Sequence, residues 1–140
     1  MKYLLDTNLL SELTKARPNA DVLARMGEHR AACATCSVVA FELLFGIALL
    51  PPGERKTQLQ AQAAVLFADT AGIPVLPYDI KAARWQAQQD AHLRARGQPR
   101  PWRDAQIAAT AASHDLILVT RNTADFAPYE RLKIENWFER

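Results

Sequence analysis

The chain has 140 residues, of which 49% are hydrophobic and 23% charged, and its formal net charge of +2 neither requires nor excludes a nucleic-acid partner. This length and composition fit a single folded domain over residues 1–140 and argue against intrinsic disorder. No apolar run is long enough to span a membrane, and Asp6 interrupts the place where a signal peptide needs an apolar core. Two cysteines are too few for a disulfide framework. These observations predict a cytoplasmic protein with no membrane association.

Five short β-type runs, separated by stretches of helical character, are predicted as strands. They cover residues 2–5, 33–36, 74–76, 117–120 and 133–135. Most are apolar throughout, which is typical of strands covered on both faces. Because the strands alternate with helices, the chain must return to the same edge of the sheet each time, so a mostly parallel α/β sheet is expected.

The helical stretches carry recognisable start and stop signals. They are predicted over residues 8–15, 20–28, 38–50, 54–68, 80–96 and about 103–113. Ser37 is expected to cap the third helix and Asp79 the fifth, because their side-chain oxygens can accept the first free N–H groups. Pro18 separates the first two helices, and Gly97 marks the end of the fifth.

Four acidic residues stand out by their positions. Asp6 and Asp125 follow predicted strands, where ligands collect in an open parallel sheet, although turn and cap residues are also common there. Glu42 is the only charge in the run 38–50, and a helix apolar all round is expected to be buried, so this carboxylate must be paired, protonated or bound to a metal. Asp104 begins an apolar helix, a place where the helix dipole alone favours an acid.

These acids come from four separate segments that can converge at one edge of the sheet. Clustered carboxylates repel one another and raise each other's pKa, a conflict that a divalent cation relieves. Carboxylates without His or Cys select the hard cations Mg²⁺ or Mn²⁺. Such a site suits the metal-assisted attack of water on a phosphodiester.

Four segments carry a further signal, in this order along the chain: Leu4-Leu5-Asp6-Thr7-Asn8, the isolated Glu42, Asp104 before Ile107-Ala108-Ala109, and Val119-Thr120-Arg121-Asn122 with Asp125-Phe126. Together they resemble the PIN-domain ribonucleases, and most closely the VapC-type toxins of bacterial toxin–antitoxin pairs. The resemblance spans nearly the whole chain. It implies a three-layer α/β/α PIN-like fold with a five-stranded parallel sheet, and Mg²⁺- or Mn²⁺-dependent endonucleolytic cleavage of RNA, often tRNA or rRNA. It also implies inhibition by a small VapB-like antitoxin and a homodimer.

The resemblance also assigns roles to single residues. Asp6, Glu42 and Asp104 match the family's three core acids, with Asp6 and Asp104 as the principal metal ligands and Glu42 holding metal-bound water or a second ion. Some family members carry the fourth acid where this chain has Asn122, and others where it has Asp125. We expect Asp125 to complete the catalytic set, with Asn122 as a possible support.

Substrate contacts are expected from basic residues near these acids. Arg121 is the favoured phosphate contact, with Arg103 and Asn8 as further substrate-binding residues. Trp102, beside Arg103, offers a ring for stacking on an unpaired base, although packing in the loop explains it equally well. Residues 81–103 contain one acid and six basic residues: Lys81, Arg84, Arg94, Arg96, Arg100 and Arg103. This positive charge indicates a surface that binds RNA or an antitoxin segment, although a solvated helix face explains it equally well.

Two other functions fit the sequence less well. A non-catalytic RNA- or protein-binding module on the same fold gains nothing from clustered negative charge. A phosphoryl-transfer enzyme with Asp6 as its nucleophile often has a second Asp where this chain has Asn8, and it leaves Glu42 without a role.

Overall fold

In the computed structural model, which describes residues 1–139, five parallel strands form one sheet. The strands follow the order β3-β2-β1-β4-β5 across the sheet, and each neighbouring pair is parallel. The predicted α/β/α class with a five-stranded parallel sheet is therefore confirmed. The strands are β1 Tyr3–Leu5, β2 Cys33–Cys36, β3 Val75–Leu76, β4 Ile117–Val119 and β5 Ile134–Glu135.

Helices connect the strands, and each of the six predicted helices is present with ends within a few residues of the prediction. A short seventh helix follows β4, and a single 3₁₀ turn, Arg30–Ala32, leads into β2. Within residues 1–139 no helix is long and apolar enough to span a bilayer. The helices are α1 Thr7–Leu13, α2 Ala20–His29, α3 Ser37–Ala48, α4 Glu54–Leu66, α5 Ile80–Ala95, α6 Trp102–Ser113 and α7 Thr123–Phe126.

One of the two predicted caps is confirmed and the other is wrong. The side chain of Asp79 accepts a hydrogen bond from the N–H of Ala82 at 3.0 Å, as expected for the cap of α5. Ser37 is not a cap, because the extended backbone of Cys36 takes the N-cap position and Ser37 is already helical. Its hydroxyl donates instead to the carbonyl of Leu76 on β3, at 3.5 Å.

Helix α3 is not buried all round, which corrects the expectation from its apolar sequence. Val39, Leu43 and Ile47 recur at helical spacing on the buried face. On the outer side Phe41 is 49% exposed and Phe45 43% exposed, and their rings stack with centroids 5.5 Å apart. The sequence supplies apolar residues to both faces, but the rest of the described chain, residues 1–139, covers only one of them. Helix α3 therefore presents an apolar outer face.

The register of the central strands determines what meets at the carboxyl edge of the sheet. Strand β1 lies between β2 and β4, and Leu5 pairs with Val119. Asp6 and Thr120, the next residues on the two strands, are therefore neighbours. The connections from β1 lead to β2 on one side and later to β4 on the other, and such a reversal of strand order opens a crevice in α/β sheets.

Candidate active site

Asp6 is the acid at the centre of this edge, and its carboxylate is fixed by three donors. Oδ1 accepts the N–H of Thr7 at 2.8 Å, which caps α1. Oδ2 accepts the hydroxyl of Thr120 at 2.8 Å and the amide of Asn8 at 3.3 Å. The residue is only 5% exposed. Burial raises its pKa above the usual range, the hydrogen bonds from Thr120, Thr7 and Asn8 oppose that rise, and the charge of Glu42 adds to it.

Asn8 and Thr120 join the start of α1 to the segment after β4. The amide of Asn8 donates to the hydroxyl oxygen of Thr120 at 3.3 Å, and its Oδ1 accepts the N–H of Arg121 at 3.1 Å. The same hydroxyl oxygen accepts the N–H of Asn122 at 3.0 Å. The amide group and the carbonyl oxygen of the Asn8 side chain thus both form hydrogen bonds within the protein, and the amide group helps to orient Asp6.

Glu42 reaches the same edge from α3. It is half-buried, and its Oε1 accepts the hydroxyl of Thr7 at 2.7 Å. Within residues 1–139 it forms no ion pair with a lysine or arginine. The charge of Glu42 raises the pKa of both Asp6 and Asp104. Its carboxylate therefore lies close enough to these two acids to affect their pKa values, and no lysine or arginine of residues 1–139 neutralises it.

Asp104 and Asp125 complete this neighbourhood. Asp104 is half-buried in the first turn of α6, and its pKa is raised first by burial and then by the charges of Asp6, Asp125 and Glu42. Asp125 lies exposed on α7 and pairs with Arg100, whose Nη2 is 3.6 Å from Oδ1. Sequence reasoning placed Arg100 in the basic segment but missed that it lies among these acids.

The donor set of the cluster is chemically suited to a hard cation. Its four acids offer carboxylate oxygens, and the raised pKa values of Asp6 and Asp104 show that their charges are only partly compensated. The neighbouring thiol of Cys36 is not a matching ligand, because burial raises its pKa to about 11 and keeps it protonated. As the side chains stand, no three acid, His or Cys side chains of residues 1–139 are grouped tightly enough to enclose an ion. A hard cation at this edge would therefore bind through one or two carboxylates and complete its coordination with water.

Two of the predicted substrate-binding cations lie on aromatic rings. The guanidinium of Arg121, directly after Thr120, is 4.6 Å from the ring centroid of Phe138. That of Arg103, next to Asp104, is 5.0 Å from the ring centroid of Phe41. Both arginines are exposed, and the neighbouring Trp102 is 68% exposed. The rings hold the charged groups in place while solvent, or an anion, can still reach them.

Comparisons with known proteins agree on one family. The family model described as PIN domain matches residues 3–132. The chain is 36% identical over 124 residues to VapC ribonuclease Y4jK of Sinorhizobium fredii, covering 88% of this chain and 89% of that protein. It is 33% identical over 137 residues to the tRNA(fMet)-specific endonuclease VapC of Shigella flexneri, covering 98% of each. It is 30% identical to Toxin FitB of Neisseria gonorrhoeae over 97% of this chain and 99% of that protein, and the crystal structure of FitAcB from that organism matches with a TM-score of 0.85 over 99% of each chain.

The mutual repulsion of the acids predicts how stability depends on pH. The Asp104→Asn variant is expected to melt a few degrees higher than the unsubstituted protein at neutral pH in the presence of a chelator. A carboxyl whose pKa is raised by folding binds more protons in the folded state, so its ionisation costs stability as the pH rises through the folded-state pKa. The advantage of the variant should shrink as the pH falls and disappear below the unfolded value of 3.8.

Thermal unfolding followed by circular dichroism over this pH range measures the effect. Asp115→Asn is the matched control, because the side chain of Asp115 is 91% exposed and pairs with Lys133. A gain for Asp104→Asn that is equally large at every pH contradicts the electrostatic explanation.

Proposed function

We propose that this chain, which belongs to the PIN-domain family and to its VapC-type toxin ribonucleases, is an endoribonuclease that uses Mg²⁺ or Mn²⁺ held by the carboxylate cluster. The observation that carries the proposal is the convergence of Asp6, Glu42, Asp104 and Asp125 from four separate elements. Burial and mutual repulsion raise the pKa of two of them. Such an arrangement destabilises a protein unless a cation compensates it.

Each acid has a distinct part in the proposed mechanism. Asp6 and Asp104 hold the ion, and Glu42 and Asp125 complete its surroundings. When bound, the ion lowers the pKa of the attacking water and stabilises the charge that develops on the phosphate. The hydrogen bonds from Thr120 and Thr7 keep the Asp6 carboxylate in one orientation. Thr7 also binds one oxygen of Glu42, which leaves the other to orient a water molecule.

RNA is the proposed substrate, with tRNA or rRNA as its class. Arg121 follows Thr120, which binds Asp6, and Arg103 precedes Asp104; both have exposed guanidinium groups that phosphates can reach. Trp102 offers an exposed ring on which an unpaired base can stack. The similarity to an endonuclease specific for tRNA(fMet) supports a tRNA substrate.

The proposed partners are a small VapB-like antitoxin and a second copy of the chain. The antitoxin is supported by the similarity to Toxin FitB. The second copy is supported by the apolar outer face of α3, where four large apolar side chains are exposed: Phe41, Leu44, Phe45 and Leu49. A cytoplasmic location, as the sequence predicts, would bring the chain together with its RNA substrate.

The two other functions fit the geometry less well. Asp6 is a poor nucleophile for phosphoryl transfer, because it is 5% exposed and both of its oxygens accept hydrogen bonds. A module that only binds RNA is disfavoured, because the acids lie where the phosphates would approach.

Loss of a metal-holding acid should abolish cleavage. Asp6→Asn and Asp104→Asn are each expected to lower Mn²⁺-dependent cleavage of RNA by at least about 100-fold, because each removes a charged ligand. Cleavage of a labelled tRNA(fMet) transcript and of total cellular RNA measures the effect, with Asp115→Asn as the control that retains activity. Full activity of either folded variant, or of the unsubstituted protein in excess chelator, rules out the mechanism.

Arg121→Ala is expected to weaken RNA binding about 3- to 10-fold and to reduce the slope of log K against log salt by about one, because one phosphate contact is lost. Fluorescence anisotropy at several salt concentrations measures both quantities. Lys133→Ala is the matched control, since Lys133 precedes β5 at the opposite edge of the parallel sheet. An unchanged salt slope contradicts the proposed role of Arg121.

Phe45→Glu is expected to convert a homodimer to a monomer, because it places a charge on the apolar outer face of α3. Light scattering coupled to size exclusion measures the mass in solution. Val65→Glu, on α4 at a position that is 71% exposed, is the control and should leave the dimer intact. A monomeric unsubstituted protein, or a dimeric Phe45→Glu variant, speaks against this face as the interface.

A further inference from the structure

Three buried polar atoms near the active site have no hydrogen-bond partner within residues 1–139. They are Oδ1 of Asp90, Nε of Arg100 and the hydroxyl of Tyr129. Asp90 and Arg100 line one cavity of about 510 Å³ at the end of α5, and the charges of both act on Tyr129. Buried polar groups without protein partners are uncommon, and the adjoining cavity has room for the water or ligand atoms that would satisfy them.

Arg100 is the member of this group that faces the acids. Its side chain is 22% exposed, and its only ion pair within residues 1–139 is the 3.6 Å contact with Asp125. Its charge lowers the pKa of Asp104, against the effect of the other acids. The guanidinium forms no hydrogen bond within the described part of the chain, although it carries five N–H donors. The ion pair between Arg100 and Asp125 adds little stability, because its N–O distance is 3.6 Å and the Asp125 side chain is 55% exposed.

The chain around Arg100 holds its backbone and surroundings in place. Pro99 and Pro101 flank the residue, and their rings restrict the backbone on both sides. Asp90 is itself fixed, because its other oxygen accepts the amide of Gln86 at 3.0 Å. The Gln86 carbonyl oxygen in turn accepts the hydroxyl of Tyr78 at 2.6 Å. Asp90 is thus fixed on α5, on the wall of the cavity that Arg100 also lines.

We propose that Arg100 binds a phosphate group of the RNA beside the carboxylate cluster. The planar fork of an arginine matches two phosphate oxygens, and the 22% of this side chain that is exposed gives them access to it. Arg94, exposed on the same cavity, extends the positive surface away from the acids. The inference rests on the proposed function, since it names a residue that holds the same substrate.

The test is the binding of RNA in the absence of metal, which separates a phosphate contact from metal-dependent chemistry. The full chain is titrated in chelator against a fluorescein-labelled, mixed-sequence single-stranded RNA oligonucleotide, because phosphate contacts are independent of sequence. Arg100→Met is expected to bind at least about 10-fold more weakly and to lower the salt slope by about one. Arg100→Lys should give an intermediate affinity, since it keeps the charge and loses the fork.

Arg30→Met is the matched control, because Arg30 is an exposed arginine in the 3₁₀ turn before β2, at the opposite edge of the parallel sheet, and it should bind within about 2-fold of the unsubstituted protein. Binding of Mn²⁺ alone to Arg100→Met should be unchanged or tighter, because a competing cation is gone.

The outcomes separate this inference from the proposed function. RNA affinity of Arg100→Met and Arg100→Lys equal to that of the unsubstituted protein overturns the inference while leaving the ribonuclease proposal intact. Parallel losses of RNA binding, Mn²⁺ binding and thermal stability in both variants assign Arg100 a structural role and also overturn it. If the unsubstituted protein neither binds RNA nor cleaves it with Mn²⁺, the proposed function itself fails.

Discussion

The hydrogen bond between Thr120 and Asp6 is the interaction on which the site depends. It exists because β1 and β4 pair in parallel with Leu5 opposite Val119, so that each strand delivers its next residue to the same point. A slip of one residue in this register would turn one of these side chains to the other face of the sheet. The pairing of two short buried strands thus determines where the central carboxylate lies.

The carboxylates gathered at this point work against the stability of the fold. Burial and mutual repulsion raise the pKa of Asp6 and Asp104, and within residues 1–139 Arg100 is the only cation paired with any member of the cluster. The hydrogen bonds from Thr7, Asn8 and Thr120 offset part of this cost at Asp6. A local loss of folding stability at one edge of an otherwise well-packed sheet is typical of a site that is kept for its chemistry.

The sequence was most informative where one physical cause dominates. Apolar runs located the strands, and the position of Asp6 after the first of them placed it at the sheet edge. Hydrophobicity alone could not reveal that the outer face of α3 lacks a neighbour, because Phe41 and Val39 look alike in a sequence. Nor could it separate Arg100 from the other basic residues of its segment, since its proximity to Asp125 arises only when the loop before α6 meets α7. Contacts between residues that are far apart in the chain leave no recognisable pattern in the local sequence.

Helix α3 joins two features that lie on different sides of it. Glu42 faces the acids, while the stacked rings of Phe41 and Phe45 face outward. Phe41 and Glu42 are consecutive residues, so the surface available for assembly and the chemistry of the crevice are built from the same turns of one helix. A substitution that repacks the outer rings therefore also alters the immediate neighbourhood of an acid.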